Sequence, residues 1–84
     1  MNVSFITFRS VTFAQRGEVI LRAAGIPSSL RRTPKWMEER GCGYCLKIKQ
    51  EDIPAALGQL RQKAVPFRKV YTQDSDGKLE ERVP

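Results

Sequence analysis

The six residues at positions 44–49, Y-C-L-K-I-K, constrain the fold of this chain more than any other segment. Large apolar side chains alternate with a cysteine and two lysines, which is typical of a strand with one buried face. The side predicted to face the core carries Tyr44, Leu46 and Ile48, and the opposite side carries Cys45, Lys47 and Lys49. A shift of one residue would bury both lysines, so the alternation specifies the register of this strand.

The segments before and after this strand are predicted to form further strands and helices. Strands are predicted at residues 3–8, 29–32 and 67–72, helices from about residue 12 to 24 and from 51 to about 64, and a loop or single helical turn at 33–41. The order β-α-β-β-α-β is the split β-α-β pattern of ferredoxin-like folds. We therefore predict an α+β domain in which a four-stranded antiparallel sheet carries both helices on one face and leaves the other face open.

The domain is predicted to occupy residues 1–72, and residues 73–84 are predicted to be an acidic C-terminal tail or a short hairpin arm. The D-S-D-G segment at 74–77 is a turn signal that favours the hairpin. With 84 residues the chain is near the lower size limit of domains that fold without disulfides or metals.

Cap residues give the expected limits of the first helix. Ser10 and Thr12 are both candidates for the N-cap, and Thr12 with Gln15 forms a capping box. Gly25 is expected just past the end of the helix, and Pro27 prevents its continuation. Its predicted apolar face carries Phe13, Gly17, Ile20, Leu21 and Ala24, and that of the second helix carries Ile53, Ala56, Leu57, Leu60 and Ala64.

The net charge of +6 is concentrated in the predicted domain. Residues 1–72 hold thirteen Lys and Arg against five Asp and Glu, whereas residues 73–84 hold two against four. A basic body of this kind attracts nucleic acid, an acidic protein partner or a small anion. The sequence has no apolar run of about 20 residues, so no membrane contact is expected. A start unlike a signal peptide points to the cytoplasm, where thiols stay reduced.

Both cysteines lie in the segment G-C-G-Y-C at 41–45, and histidine is absent. A zinc site needs at least three protein ligands, and this pair supplies two, so no metal is expected. A dithiol redox pair is usually activated by the N-terminus of a helix, whereas here a strand follows the pair. A reversible disulfide between Cys42 and Cys45 stays open as an alternative, because Gly43 allows the loop to curl.

The segment R-G-C-G-Y-C-L-K at 40–47 is also similar to the first conserved motif of RNA-recognition domains. Two features oppose this interpretation. Cys42 stands where an aromatic side chain should stack on a base, and the motif's register would turn Lys47 into the core. Binding of RNA or of a protein partner through the basic face stays an alternative function, without sequence-specific nucleic-acid binding.

A reactive thiol fits the surroundings of Cys42 best. Flanking glycines leave its sulfur approachable, and Arg40, Lys35 and Arg32 are close enough in sequence to favour the thiolate, as is Arg31. Cys45 lies within a strand, and the expected role of a cysteine there is that of a small buried side chain.

The segments T-F-R-S-V-T, A-A-G-I-P, T-P-K, C-G and E-D-I-P, in this order, resemble a small bacterial family described as selenium/sulfur-carrier-like. The resemblance covers roughly residues 3–72 and is most specific at Cys42 and Gly43. It implies that Cys42 carries sulfur or selenium as a transient persulfide or selenopersulfide, with no resident cofactor. It also implies donor and acceptor proteins as partners, and a stoichiometric carrier rather than an enzyme.

Two departures from the family pattern affect this interpretation. The chain has E-E-R-G before Cys42, where the family has a serine-rich stretch, so polar contacts to a bound chalcogen are altered. Cys45 stands where the family has a small residue, and a second thiol there could resolve a persulfide by forming a disulfide.

Overall fold

The computed structural model describes residues 3–32 and 43–73, and the backbone of residues 79–82. The elements are β1 (Val3–Thr7), α1 (Val11–Ala23), β2 (Ser29–Arg32), β3 (Tyr44–Lys49), a 3-10 turn (Gln50–Asp52), α2 (Ile53–Gln62), β4 (Val70–Gln73) and β5 (Leu79–Arg82). The predicted order of strands and helices is confirmed.

The strands form one sheet in the order β2-β3-β1-β4-β5, and every neighbouring pair is antiparallel. Its first four strands have the ferredoxin-like arrangement, and the α+β prediction is confirmed. Strand β5 pairs with the outer edge of β4, where the sequence offered a hairpin arm as one of two alternatives, and adds a fifth strand to the four of the predicted sheet.

The core lies between the sheet and the two helices. On β1 and β3, Ile6 stands opposite Leu46, and both side chains are fully buried. Helix α1 contributes Ala14, Gly17 and Leu21 to this layer, and α2 contributes Ala56, Leu57 and Leu60. The predicted register of β3 is confirmed: Leu46 and Ile48 are buried, Tyr44 packs partly buried against the core, Lys47 is half-buried and Lys49 is exposed.

The opposite face of the sheet is less open than predicted. Thr7, Cys45 and Tyr71 belong to this face by register, and all three are buried. Each lies on a strand that has a neighbouring strand on both sides. The helices pack on the other face, as predicted, but these three positions are not open to water.

Ser10 is the N-cap of α1, and the capping box predicted at Thr12 is wrong. Ser10 has extended backbone angles, and its hydroxyl accepts a hydrogen bond from the Phe13 amide at 3.2 Å. Thr12 lies inside the first turn and is exposed. The helix therefore starts at Val11, and the Ser10 hydroxyl satisfies the Phe13 amide in its first turn, as serine at an N-cap typically does.

Both helices end in the same hydrogen-bonded motif. After α1, the amides of Gly25 and Ile26 donate to the carbonyls of Arg22 and Leu21, at 3.0 and 2.8 Å. After α2, Ala64 and Val65 donate to Arg61 and Leu60 in the same way, at 3.1 and 2.9 Å. This is the hydrogen-bond pattern of a Schellman cap. In that motif the residue two positions after the C-cap usually makes an apolar contact with the last turn of the helix.

Residues near the helix ends differ from the prediction as a result. The sequence predicts Ala24 and Ala64 on the apolar faces of the two helices. Both are exposed instead, because they lie in these caps, beyond the last helical residue. Strand β4 starts at Val70 rather than at residue 67. Before it, the amides of Arg68 and Lys69 donate to the carbonyl and hydroxyl oxygens of Thr7, at 2.7 and 3.1 Å.

The two caps predict opposite effects of exchanging glycine and alanine. Gly25 has φ of 77°, and Ala64 adopts φ of 57° although it carries a Cβ. We expect Ala64→Gly to stabilise the domain by about 0.5–1 kcal/mol and Gly25→Ala to destabilise it by about 1 kcal/mol. No atom lies within 4 Å of a Cβ built on Gly25, so its backbone conformation is the cause of the expected loss. Urea unfolding followed by circular dichroism measures both changes, and equal signs for the two variants would contradict this account.

Candidate functional site

The candidate site is the cysteine segment that leads into β3. Gly43, Cys45 and Arg32 belong to the described part of the structure, whereas Cys42, Lys35 and Arg40 lie outside the described residues. The predicted grouping of cations around Cys42 therefore stays a prediction, and the geometry below concerns the strand that follows this residue and its neighbours.

Gly43 fixes the backbone conformation immediately before β3. Its φ of 82° lies in the left-handed region, where a side chain would be strained. The next residue, Tyr44, begins the strand and stands opposite Arg32 of β2. The glycine that follows Cys42 is thus required by the chain path, in addition to leaving space near a sulfur.

Cys45 is fully buried, with 0% of its surface exposed. It stands opposite Thr7 of β1 on one side and Arg31 of β2 on the other, on the sheet face away from the helices. The burial expected for this cysteine from its position within a strand is confirmed. The Cys45 sulfur is therefore not accessible to a large reaction partner in this structure.

Tyr44 lies on the helix-facing side and packs against the core. The register that the RNA-recognition interpretation required would place it on the other face, so Tyr44 cannot stack on a base there. The guanidinium of Arg32 lies 5.6 Å from the centroid of the Tyr44 ring and donates a hydrogen bond of 3.4 Å to its hydroxyl oxygen. Arg32 therefore interacts with the first residue of β3.

Positive charge lines the β2–β3 side of the sheet around Cys45. Arg31 is its direct neighbour on β2, and Lys47 follows it by two residues on the same face of β3. Directly opposed side chains on antiparallel strands have Cβ atoms about 4.5–5.5 Å apart. The buried thiol is therefore close to two cationic side chains that extend toward a cleft at the edge of the sheet.

That cleft was missed by the sequence analysis. Ser28, in the loop between α1 and β2, lines it, and the Ser28 hydroxyl oxygen is buried without a hydrogen-bond partner among the described residues. Arg22, Arg31 and Lys47 also line it, from three different elements. The sequence carried one signal, the two serines between Pro27 and the basic strand, but their burial depends on how the loop folds back.

The described ranges contain no group of three or more histidine, cysteine, aspartate or glutamate side chains that could hold a metal ion. Within the same ranges, neither helix is long and apolar enough to cross a membrane.

The structure thus defines a basic α+β domain of ferredoxin-like topology, with one enclosed cysteine in β3 and a second cysteine three residues earlier in the chain. A family model described as "Putative Se/S carrier protein-like" matches residues 4–72, which is most of the chain, and the protein belongs to this family. Neither the curated proteins nor the solved structures gave a significant match.

Proposed function

We propose that the protein is a carrier of sulfur or selenium, held as a persulfide or selenopersulfide on Cys42 and passed from a donor protein to an acceptor protein. The family match over residues 4–72 supports the carrier role. Such a shuttle works stoichiometrically in the cytoplasm, where thiols stay reduced between transfers.

The observation that carries the choice of residue is the burial of Cys45. The chain has two cysteines, and Cys45 has no exposed surface. Transfer between proteins requires the sulfur of one to reach the sulfur of the other, so the accepting thiol must be accessible to a folded partner. Cys42 comes directly before Gly43, which has the left-handed backbone conformation. In the sequence it precedes the strand that contains Cys45.

The transfer step needs no outside oxidant. The Cys42 thiolate attacks the terminal sulfur of a donor persulfide, and a new S–S bond forms as the donor's own S–S bond breaks. The donor cysteine leaves with the bonding electron pair as a thiolate, and the proton of the persulfide stays on the terminal sulfur. A selenopersulfide donor transfers its terminal selenium by the same exchange.

The test measures intact mass after incubation with a cysteine desulfurase and cysteine. We expect wild-type protein and Cys45→Ala to gain one sulfur atom that a reductant removes, and Cys42→Ser to gain none. Alanine is the matched replacement at position 45, because a buried polar side chain would add a folding defect.

Two outcomes would overturn the proposal. Retention of the added sulfur by Cys42→Ser would show that another residue carries it. A loss of two hydrogen atoms by the wild-type protein, with no gain of sulfur by Cys45→Ala, would show a disulfide between Cys42 and Cys45 that forms without sulfur transfer, and so favour the dithiol redox alternative.

A further inference from the structure

We propose that the cleft between the end of α1 and strands β2 and β3 is a binding site for a tetrahedral oxyanion of the phosphate or sulfate type. The cleft has a volume of about 280 Å³. Its walls are Arg22, Ile26, Pro27, Ser28, Ser29, Arg31 and Lys47. This inference does not rest on the proposed sulfur transfer: it uses no cysteine, and of the cations predicted to surround Cys42 it uses Arg31 alone.

Three cationic side chains converge on the cleft from separate elements. Arg22 comes from the last turn of α1, Arg31 from β2 and Lys47 from β3. Among the described residues, no carboxylate lies within ion-pair distance of Arg31 or Lys47. Positive charge that converges from three elements favours an anionic ligand.

One carboxylate, that of Glu18, lies near this arrangement and is already engaged. One Glu18 oxygen is 3.7 Å from the Arg22 guanidinium, and the other accepts a hydrogen bond of 3.3 Å from the Leu30 amide. Glu18 thus joins α1 to β2, and it offsets part of the charge of Arg22 alone. The anion is therefore expected to depend mainly on Arg31 and Lys47.

The C-terminal end of a helix carries partial negative charge, which would oppose an anion near α1. Here the carbonyls of Leu21 and Arg22 already accept hydrogen bonds from the amides of Ile26 and Gly25. The cap reduces this repulsion, and the cationic Arg22 lies in the same turn.

Ser28 also lines the cleft, but its hydroxyl oxygen is buried and has no hydrogen-bond partner within the described part of the chain. An anion in the open cleft does not reach this buried oxygen, so the expected contacts are those of the cationic side chains.

The size of the cleft suits a small anion with some of its water. A volume of about 280 Å³ is just below the range of roughly 300–1,000 Å³ that is typical of small-molecule sites. A free phosphate or sulfate ion fits, and so does the terminal group of a small phosphate ester. The anionic group recognised is the same in each case.

The test is a titration of the full chain with sodium phosphate, sodium sulfate and a simple phosphate monoester at constant ionic strength, followed by amide NMR shifts. We expect saturable shifts centred on Ser28, Ser29 and Lys47, with dissociation constants in the roughly millimolar range. Tighter binding of the monoester than of the inorganic ions would identify a phosphate ester as the ligand. Equally tight binding of the inorganic ions would identify the free anion.

Two matched variants make the test specific. Lys47→Gln should weaken binding about fivefold or more, whereas Lys49→Gln, with the same charge change on an exposed residue of the same strand, should weaken it less than about twofold.

Several results would overturn the proposal. One such result is the absence of saturation with all three anions. Another is equal weakening of anion binding by Lys47→Gln and Lys49→Gln, because that would indicate general attraction to a basic surface. Tighter binding of single-stranded RNA across the whole basic face would assign the surface to nucleic acid.

Discussion

Gly17→Leu is expected to remove at least about 3 kcal/mol from the free energy of unfolding, the largest loss of stability we expect from a single substitution in this chain. Gly17 lies in the middle of α1, where the helix crosses the sheet and meets α2. A Cβ at this position would be 3.2 Å from Phe8 Cζ, 3.3 Å from Leu46 Cδ1 and 3.3 Å from Leu60 Cδ2.

These three neighbours belong to different parts of the fold, so they cannot move away together. Phe8 follows β1, Leu46 lies in β3 and Leu60 in α2, and all three are fully buried. Leucine adds four heavy atoms to a space that already restricts one, so α1 must lift off the sheet. A domain of this size has a total stability of only about 4–13 kcal/mol, and a large part of it would be lost.

The matched control is Gly58→Leu in α2. Gly58 is exposed, and no atom lies within 4 Å of a Cβ built on it. Leucine there should raise stability by up to about 1 kcal/mol, because it favours the helix more than glycine does. Urea unfolding by far-ultraviolet circular dichroism gives both values. Similar losses for the two variants would contradict the close packing derived for Gly17.

The sequence predicts most of this fold because its patterns are local. The alternation at 44–49 and the placement of Gly17 on an apolar helix face both follow from side-chain periodicity. The close packing around Gly17 depends on the angles at which the helices cross the sheet. Side-chain periodicity does not specify those angles. The choice of Ser10 over Thr12 as N-cap depends on where β1 ends and how the chain enters the helix.

The candidate site is predictable to a smaller extent, for related reasons. Burial of Cys45 follows from its place inside a strand, and the structure confirms it. The cleft at Ser28 forms from a loop, a helix end and two strands, and its residues are spread from 22 to 47 in the chain. Proximity of that kind arises from the sheet order, so inspection of short motifs does not find it.

Iodoacetamide is expected to label Cys42 of the native protein at least about a hundredfold faster than Cys45. Cys45 has 0% exposure, so the reagent reaches its sulfur only when the structure around it opens locally. If that opening costs about 3 kcal/mol, the reactive population falls by roughly two orders of magnitude. The proposed transfer requires the Cys42 thiol to be accessible.

The two thiols are separated by chymotryptic cleavage after Tyr44, and mass spectrometry of quenched time points then gives each rate. Labelling in denaturant is the control, because the difference should shrink to a few fold once burial is abolished. The Cys45→Ala variant should keep the fast phase unchanged. If Cys45 reacts first in the native protein, its strand opens readily, and burial no longer separates the two cysteines. The assignment of sulfur or selenium transfer to Cys42 would then lose the structural observation on which it depends.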